Sequence, residues 1–90
     1  MKRLVEIFRS PRKQEMYLYV DKAAGMEDVP DVLLTQFGEP ETVMTLLLTP
    51  ERKLARVDAA EVLQKIDEQG FFLQMPPTEA ELLRRDSAGD

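Results

Sequence analysis

The chain has 90 residues, contains neither cysteine nor histidine, and carries a formal net charge of −5 at pH 7. This length is typical of one domain with a modest core, and the two absences exclude disulfides, thiolate or histidine metal sites, and Ser-His or Cys-His nucleophile pairs. The charge is uneven, since residues 1–22 carry six Lys/Arg against three Asp/Glu while residues 23–90 carry six against fourteen. The first part (+3) can therefore contact an anion although the whole chain is acidic.

The apolar runs are too short for a membrane protein. Neither the leucine run at residues 46–48 nor the apolar run at residues 16–20 approaches the roughly 20 apolar residues that a helix needs to span a bilayer. Glu6 interrupts the apolar stretch near the start that a signal peptide requires. We expect a cytoplasmic monomer that does not enter a membrane and that needs no metal or cofactor.

The first two predicted elements are strands. Residues 3–8 alternate in a strand-like pattern, and residues 16–20 have high strand propensity with turn residues on both sides. In the second segment Met16, Leu18 and Val20 share one face, and two tyrosines share the other. Neither face is polar, so this central strand should be covered by helices on both sides.

The polar link at residues 9–15 predicts an antiparallel hairpin between these strands. The residues alone leave the register open. In an antiparallel pair the numbers of two opposite residues have a constant sum, which defines the register. A sum of 24 would set Glu6 opposite Leu18, whereas a sum of 25 would set Val5 opposite Val20 and place more apolar residues on one face.

A helix is predicted next, with Asp28 as its N-cap, Pro30 in its first turn and Gly38 at its end. Residues 42–48 favour a strand on length, although a helix is an alternative for so short an apolar run. Residues 49–52, Thr-Pro-Glu-Arg, resemble a capped helical turn.

The second half of the chain predicts a helix that starts after Asp58 and ends at Gly70. Asp58 is expected to cap the amide of Glu61, and an apolar stripe faces the core. The stripe consists of Val62, Leu63 and Ile66. Residues 71–75 then predict a strand that the two prolines 76–77 stop, and residues 78–85 predict a short helix.

Together these elements predict an α/β (α+β) fold. The expected architecture is a small, mainly antiparallel sheet of three to four strands with helices on both faces, an α/β/α sandwich. One domain should span residues 1–85, and residues 86–90 should fray.

Three blocks of the sequence, residues 15–21, 48–56 and 70–77, resemble in order and spacing the YcgL domain family, or DUF709, of small bacterial proteins. The resemblance covers Lys2 to about Leu83. It implies a stand-alone α/β domain with helices on both sides of a small sheet. It implies no specific activity, because the family has no established biochemical function. In some genomes its gene lies near that of ribonuclease D, which implies a loose association with RNA processing.

The first candidate site is the basic hairpin, where arginine and lysine side chains would contact phosphates and tyrosine rings would stack on bases. Its residues are Arg9, Arg12, Lys13, Tyr17 and Tyr19. The simpler interpretation is a solvated turn with buried tyrosines, and it is favoured because three charges on a loop are ordinary.

The second candidate is the turn at residues 49–56, where backbone amides and three cations would hold an anion. The cations are Arg52, Lys53 and Arg56. Its simpler interpretation is a capped connector between a strand and a helix.

The third candidate is the segment around Phe71 and Gln74, which would offer an apolar strand edge to a protein partner. The simpler interpretation is a core strand that ends at the prolines.

Carboxylate pairs are the remaining candidates, at Glu39 with Glu41 and at Asp67 with Glu68. Asp67 and Glu68 are adjacent on a helix and so do not converge, and Glu39 and Glu41 flank a proline in a turn, where carboxylates are mostly solvated. We therefore assign no catalytic residue. The favoured hypothesis is a non-enzymatic interaction module that binds a protein or RNA partner. The alternative is a small enzyme, or a phosphate-ester-binding protein, that uses carboxylates and arginines around residues 49–56.

Overall fold

A four-stranded antiparallel sheet with one helix on each face forms the body of the protein. The computed structural model describes residues 2–54 and 57–75. Along the chain the elements are β1 (Arg3–Arg9), β2 (Tyr17–Asp21), α1 (Asp31–Phe37), β3 (Glu41–Leu48), α2 (Ala59–Gln69) and β4 (Phe71–Gln74). The strand order is β3-β1-β2-β4. The predicted α+β class is confirmed. No helix in the described ranges is long and apolar enough to cross a bilayer.

Helix α2 covers one face of the sheet. Its apolar stripe is buried as predicted, with Val62, Leu63 and Ile66 between 0 and 3% exposed. The sheet contributes inward-facing side chains from three strands, namely Val5, Ile7, Tyr19, Leu46 and Leu48. This face therefore holds the larger of the two cores.

Helix α1 covers only part of the opposite face. Met16, Leu18 and Val20 are buried there against Val29 and Phe37, which confirms the predicted alternation along β2. The half of this face formed by β1 and β3 is more open. Leu4 and Leu47 lie opposite each other on it and are 46% and 50% exposed.

The β1–β2 hairpin has a register that neither sequence-based option anticipated. Glu6 pairs with Val20 and Ile7 pairs with Tyr19, so the residue numbers sum to 26 rather than to 24 or 25. The pairing continues beyond the strands, since the Ser10 amide donates to the Met16 carbonyl at 3.0 Å. The loop is thus only residues 11–15, and Glu15 adopts a φ of 59°. A non-glycine residue rarely takes this conformation, so the sequence did not indicate so short a loop.

Helix α2 is capped much as predicted. Asp58 is its N-cap, but the carboxylate accepts from the amide of Ala60 at 3.2 Å rather than from that of Glu61. Gly70 ends the helix in the left-handed conformation with a φ of 92°.

The predicted cap of α1 was wrong. Pro30, not Asp28, is the N-cap residue, and it is extended with a ψ of 142°. A residue before proline is disfavoured in the helical region, which keeps Val29 and the preceding turns outside the helix. Gly38 follows the end of α1 as expected.

The segment at residues 42–48 is a strand, which confirms that choice. An irregularity in its pairing with β1 between Ile7 and Phe8 leaves Val43 without a partner across the ladder. Residues 49–52 form a single turn, closed by the Arg52 amide donating to the Thr49 carbonyl, and no helix starts there. The predicted helix at residues 78–85 and the tail at residues 86–90 lie outside the described residues.

Candidate functional site

Ser10 fixes the loop between β1 and β2. Its side chain is buried, donates to the Phe37 carbonyl at the end of α1, and accepts from the amides of Arg12 and Lys13 at 3.1 Å each. The loop is therefore tied to the helix and to itself through one hydroxyl. Sequence analysis missed this role. A serine before Pro11 at the start of a loop was the available signal, since hydroxyls often bond to nearby backbone amides in turns.

The three cations of the predicted basic hairpin differ in their surroundings. The Arg9 Nε donates to Glu41 Oε1 at 3.2 Å, and both side chains are exposed. The Arg12 Nη1 donates to the Thr35 carbonyl at 3.1 Å. Lys13 is exposed and forms no ion pair within the described residues. Lys13 is thus the cation most available to a ligand.

The two tyrosines also differ. Tyr19 is 6% exposed, and its hydroxyl donates to Gln74 Oε1 at 2.9 Å. Its ring packs edge-on against Phe72 with 5.7 Å between the centroids. Tyr17 is half-buried. Tyr19 is therefore part of the core, and Tyr17 is the ring that remains accessible at this end of β2.

Two concave regions meet at Tyr17. The first, which we call the loop depression, has a volume of about 310 Å³ and is lined by the residues 9–15 and by Tyr17 and Glu41. It thus contains Arg9, Arg12 and Lys13, together with two acidic residues, Glu15 and Glu41.

The second region, which we call the Gln74 cavity, also has a volume of about 310 Å³ and lies on the α2 face of the sheet. Tyr17, Arg52, Lys53 and Gln74 line it together with apolar side chains, and none of its lining residues is acidic. It combines residues from all three predicted sites, which are far apart in the sequence. Arg56, the other cation of the second site, lies outside the described residues.

At the predicted apolar edge around Phe71 the strand lies at the edge of the sheet, but its side chains are largely buried. Phe71 is half-buried against the core on the α1 face, and Gln74 is 8% exposed, so neither side chain is free on the surface. The strand itself is nevertheless at the edge of the sheet. Within the described residues β4 pairs only with β2, and its outer side has no strand partner.

The carboxylates of the two pairs have separate surroundings, although Glu39 and Glu41 line one concave region together with Pro11 and Pro40. Glu41 pairs with Arg9, Asp67 lies 3.4 Å from an Arg3 nitrogen, and Glu68 accepts from Gln64 at 3.1 Å. Within residues 2–54 and 57–75, no group of three or more acidic side chains is placed to hold a metal ion.

Comparison with known proteins identifies the family. The model of the YcgL domain matches residues 5–77. A YcgL domain-containing protein of Pseudomonas paraeruginosa is 58% identical over 83 residues, which cover 92% of this chain and 86% of that protein. One from Hahella chejuensis is 58% identical over 78 residues, covering 87% and 74%, and one from Pseudomonas entomophila is 54% identical over 94 aligned positions, covering 96% and 97%. The chain belongs to the YcgL domain family.

Proposed function

We propose that this domain is a non-enzymatic interaction module that binds single-stranded RNA at the surface around Tyr17. One observation carries the proposal: Tyr17 lines both the loop depression and the Gln74 cavity, so its half-buried ring is shared by two concave regions that both contain cations. Proteins that bind single strands combine basic grooves for the phosphates with aromatic rings on which bases stack.

The local charges support this surface although the whole chain is acidic. Lys13 lines the loop depression, and Arg52 and Lys53 line the Gln74 cavity. All three side chains are exposed and form no ion pair within the described residues. The pair between Arg9 and Glu41 is also exposed, and such pairs contribute little, so a phosphate can compete for Arg9.

One copy of the chain supplies all of these groups, so a monomer would suffice for the proposed binding. We further propose a cytoplasmic location, where RNA would be available to the protein. The contacts above are the physical support for this role.

The test is an amide-resolved NMR titration of the labelled protein with short single-stranded RNA, first at low and then at physiological salt. We expect shifts at residues 9–17 and 52–54 that weaken as salt rises, because phosphate contacts release counterions. Tyr17→Leu keeps apolar bulk but removes the ring, and it should weaken binding roughly tenfold, since a stacked base contributes about 1–3 kcal/mol.

Two charge variants provide the matched control. Lys13→Gln removes a charge from the loop depression, whereas Lys22→Gln removes one exposed charge just beyond the opposite end of β2. We expect only Lys13→Gln to weaken binding. It should also reduce the slope of log affinity against log salt concentration by about 1, the value of one phosphate contact. Equal losses for both variants, or unmoved amides at low salt, would contradict the proposal.

The second candidate function is binding of a protein partner that adds a strand to β4. The unpaired outer side of this strand in the described part of the chain favours it, because an exposed sheet edge is a template for strand addition. The two functions are distinguishable. Protection of the amides of residues 71–74 from hydrogen exchange by a co-purified protein, with no response to RNA, would favour the second.

A further inference from the structure

The Gln74 cavity has the size and the position of a small-ligand site. Its volume of about 310 Å³ is at the lower end of the range of known ligand pockets, roughly 300–1,000 Å³. It lies where Tyr17 of β2 and Gln74 of β4 pair with each other, next to Ile7 of β1 and Met44 of β3. Helix α2 covers the other end of the same face of the sheet. The cavity is therefore open to solvent next to residues 52–54, which follow β3.

A buried amide forms part of the cavity wall. Gln74 is 8% exposed, and its Oε1 accepts the Tyr19 hydroxyl at 2.9 Å. Within the described residues its Nε2 forms no hydrogen bond. Toward the described residues the amide thus retains two donors and a second lone pair on Oε1. A buried donor without an acceptor is unfavourable, and a ligand that supplies one would remove that cost.

The other residues that line the cavity form an apolar part and a charged part. Ile7, Tyr19 and Leu46 provide apolar, largely buried walls, and Met44 adds a thioether that is 44% exposed. Arg52 and Lys53 are the charged members of the lining, and both are exposed. This arrangement suits a flat apolar ring with a polar edge, joined to an anionic group that remains near the solvent.

A nucleotide has these properties, and the amide selects among the bases. A glutamine side chain can donate to N7 of adenine while it accepts from the N6 amino group. Gln74 retains the groups that this pairing needs, because the tyrosine uses only one of the two lone pairs on Oε1. A phosphate attached to that base would meet the guanidinium of Arg52 or the ammonium of Lys53.

We propose that the Gln74 cavity is an adenine-nucleotide subsite, in which Gln74 reads the base and Arg52 and Lys53 hold the phosphate. The inference rests on the proposed function, since the nucleotide would belong to the strand that Tyr17 and the loop depression bind. It assigns base preference to Gln74 in the cavity, and sequence-independent affinity to the loop depression and to the two cations of the cavity.

The first experiment compares oligo(A) with oligo(U) by NMR titration of the unmodified protein, observing the Gln74 side-chain amide together with the backbone. We expect oligo(A) to bind on the order of tenfold more tightly, as a bidentate contact to one base predicts, and to shift the side-chain amide signals of Gln74. Equal affinities with unmoved Gln74 signals would overturn the inference, and shifts at residues 9–17 in that same titration would leave the proposed function intact.

Two variants separate base reading from phosphate binding. Gln74→Met keeps the length of the side chain without its amide and should reduce the preference for oligo(A) to less than about threefold. Lys53→Gln changes an exposed side chain, so its folding is not in question, and it should weaken oligo(A) and oligo(U) by the same factor. A Gln74→Met protein that folds and keeps the full preference for oligo(A) would contradict the assignment of Gln74.

Free nucleotides distinguish the source of the ligand. Adenosine 5′-monophosphate should shift Gln74 and residues 52–54, and uridine 5′-monophosphate should do so more weakly. A response to the adenosine nucleotide without any response to the oligonucleotides would support the cavity as a nucleotide site and overturn the RNA-binding function.

Discussion

The two faces of the sheet are covered in different ways. On one face α2 has 11 residues, a side-chain cap at Asp58 and four buried residues in its sequence. On the other face α1 has seven residues, no side-chain cap at its N-terminus, and only Phe37 buried. The core beneath α1 is completed by Met26 and Val29 from the preceding turns. A short helix can thus close a face only with help from the adjacent chain.

The difference also determines where concave regions form. Helix α2 packs over Val5, Leu46 and Leu48, and the Gln74 cavity opens where this cover ends. On the α1 face the open part holds the apolar pair Leu4 and Leu47, and Glu6 and Thr45 form the next cross-strand pair on the same face. The α2 face therefore combines a buried amide with cations, and the open part of the α1 face does not.

The largest effect should come from comparing two leucines. Leu63 on α2 is fully buried, so Leu63→Ala should lower the free energy of unfolding by about 2–5 kcal/mol. Leu47 on the open half of the α1 face is 50% exposed, so Leu47→Ala should cost less than about 1 kcal/mol. Urea denaturation measures the free energy of unfolding of both variants, which can be compared if their m-values are equal. Similar losses would mean that the β1–β3 half of the α1 face is covered in solution.

A second prediction concerns the point where the two faces meet. Gly70 ends α2 with a φ of 92°, and a Cβ there would lie 2.4 Å from the Cβ of Asp28, which precedes α1. Gly70→Ala should therefore destabilise the protein by about 2–3 kcal/mol, through backbone strain together with the clash. Gly25 is the matched control, because its φ is 60° and no atom lies within 4 Å of the position that a Cβ would take there. Gly25→Ala should cost about 1 kcal/mol.

Asp28 separates the clash from the strain. If the close approach contributes, Asp28→Gly should restore part of the stability in the Gly70→Ala background, and a double-mutant cycle measures the coupling. A coupling near zero, or equal losses at the two glycines, would show that this contact between the faces relaxes without cost.

Elements with a strong local pattern were predictable from the sequence. The alternation of residues 16–20 indicated both faces of β2, and Asp58 and Gly70 indicated the limits of α2. In these segments local propensity, capping and tertiary packing favour the same structure. For α1 they did not agree in detail, since Asp28 suited an N-cap by residue type but Pro30 moved the start of the helix.

The candidate site was predictable only as separate pieces. Tyr17, Lys53 and Gln74 were each proposed from local sequence, but their association depends on the strand order and on the hairpin register. In the hairpin with this register Glu15 has a positive φ, which its residue type does not indicate. The bond between Tyr19 and Gln74 follows from the same pairing, so sequence analysis could not show that one tyrosine is buried while the other is accessible.

The smallest predicted effect tests how the α1 face holds the basic loop. Ser10→Ala removes the hydroxyl that bonds to the Phe37 carbonyl and to the amides of Arg12 and Lys13. We expect a loss of about 1–2 kcal/mol, because buried backbone groups lose their partner. Thr35→Ala is the control, since among the described residues this exposed hydroxyl bonds only to the Asp31 carbonyl within its own helix, and the change should alter stability by less than about 0.5 kcal/mol.

The same Ser10→Ala variant connects the loop to the proposed function without changing any charge. Faster hydrogen exchange at the amides of Arg12 and Lys13, together with a few-fold weaker affinity for RNA, is expected if a fixed loop is what presents the cations. If the loop amides exchange faster but the affinity for RNA is unchanged, the cations of the loop bind RNA without needing a fixed loop conformation. In that case the α1 face would contribute only stability, and RNA recognition would depend on Tyr17 and the Gln74 cavity of the α2 face.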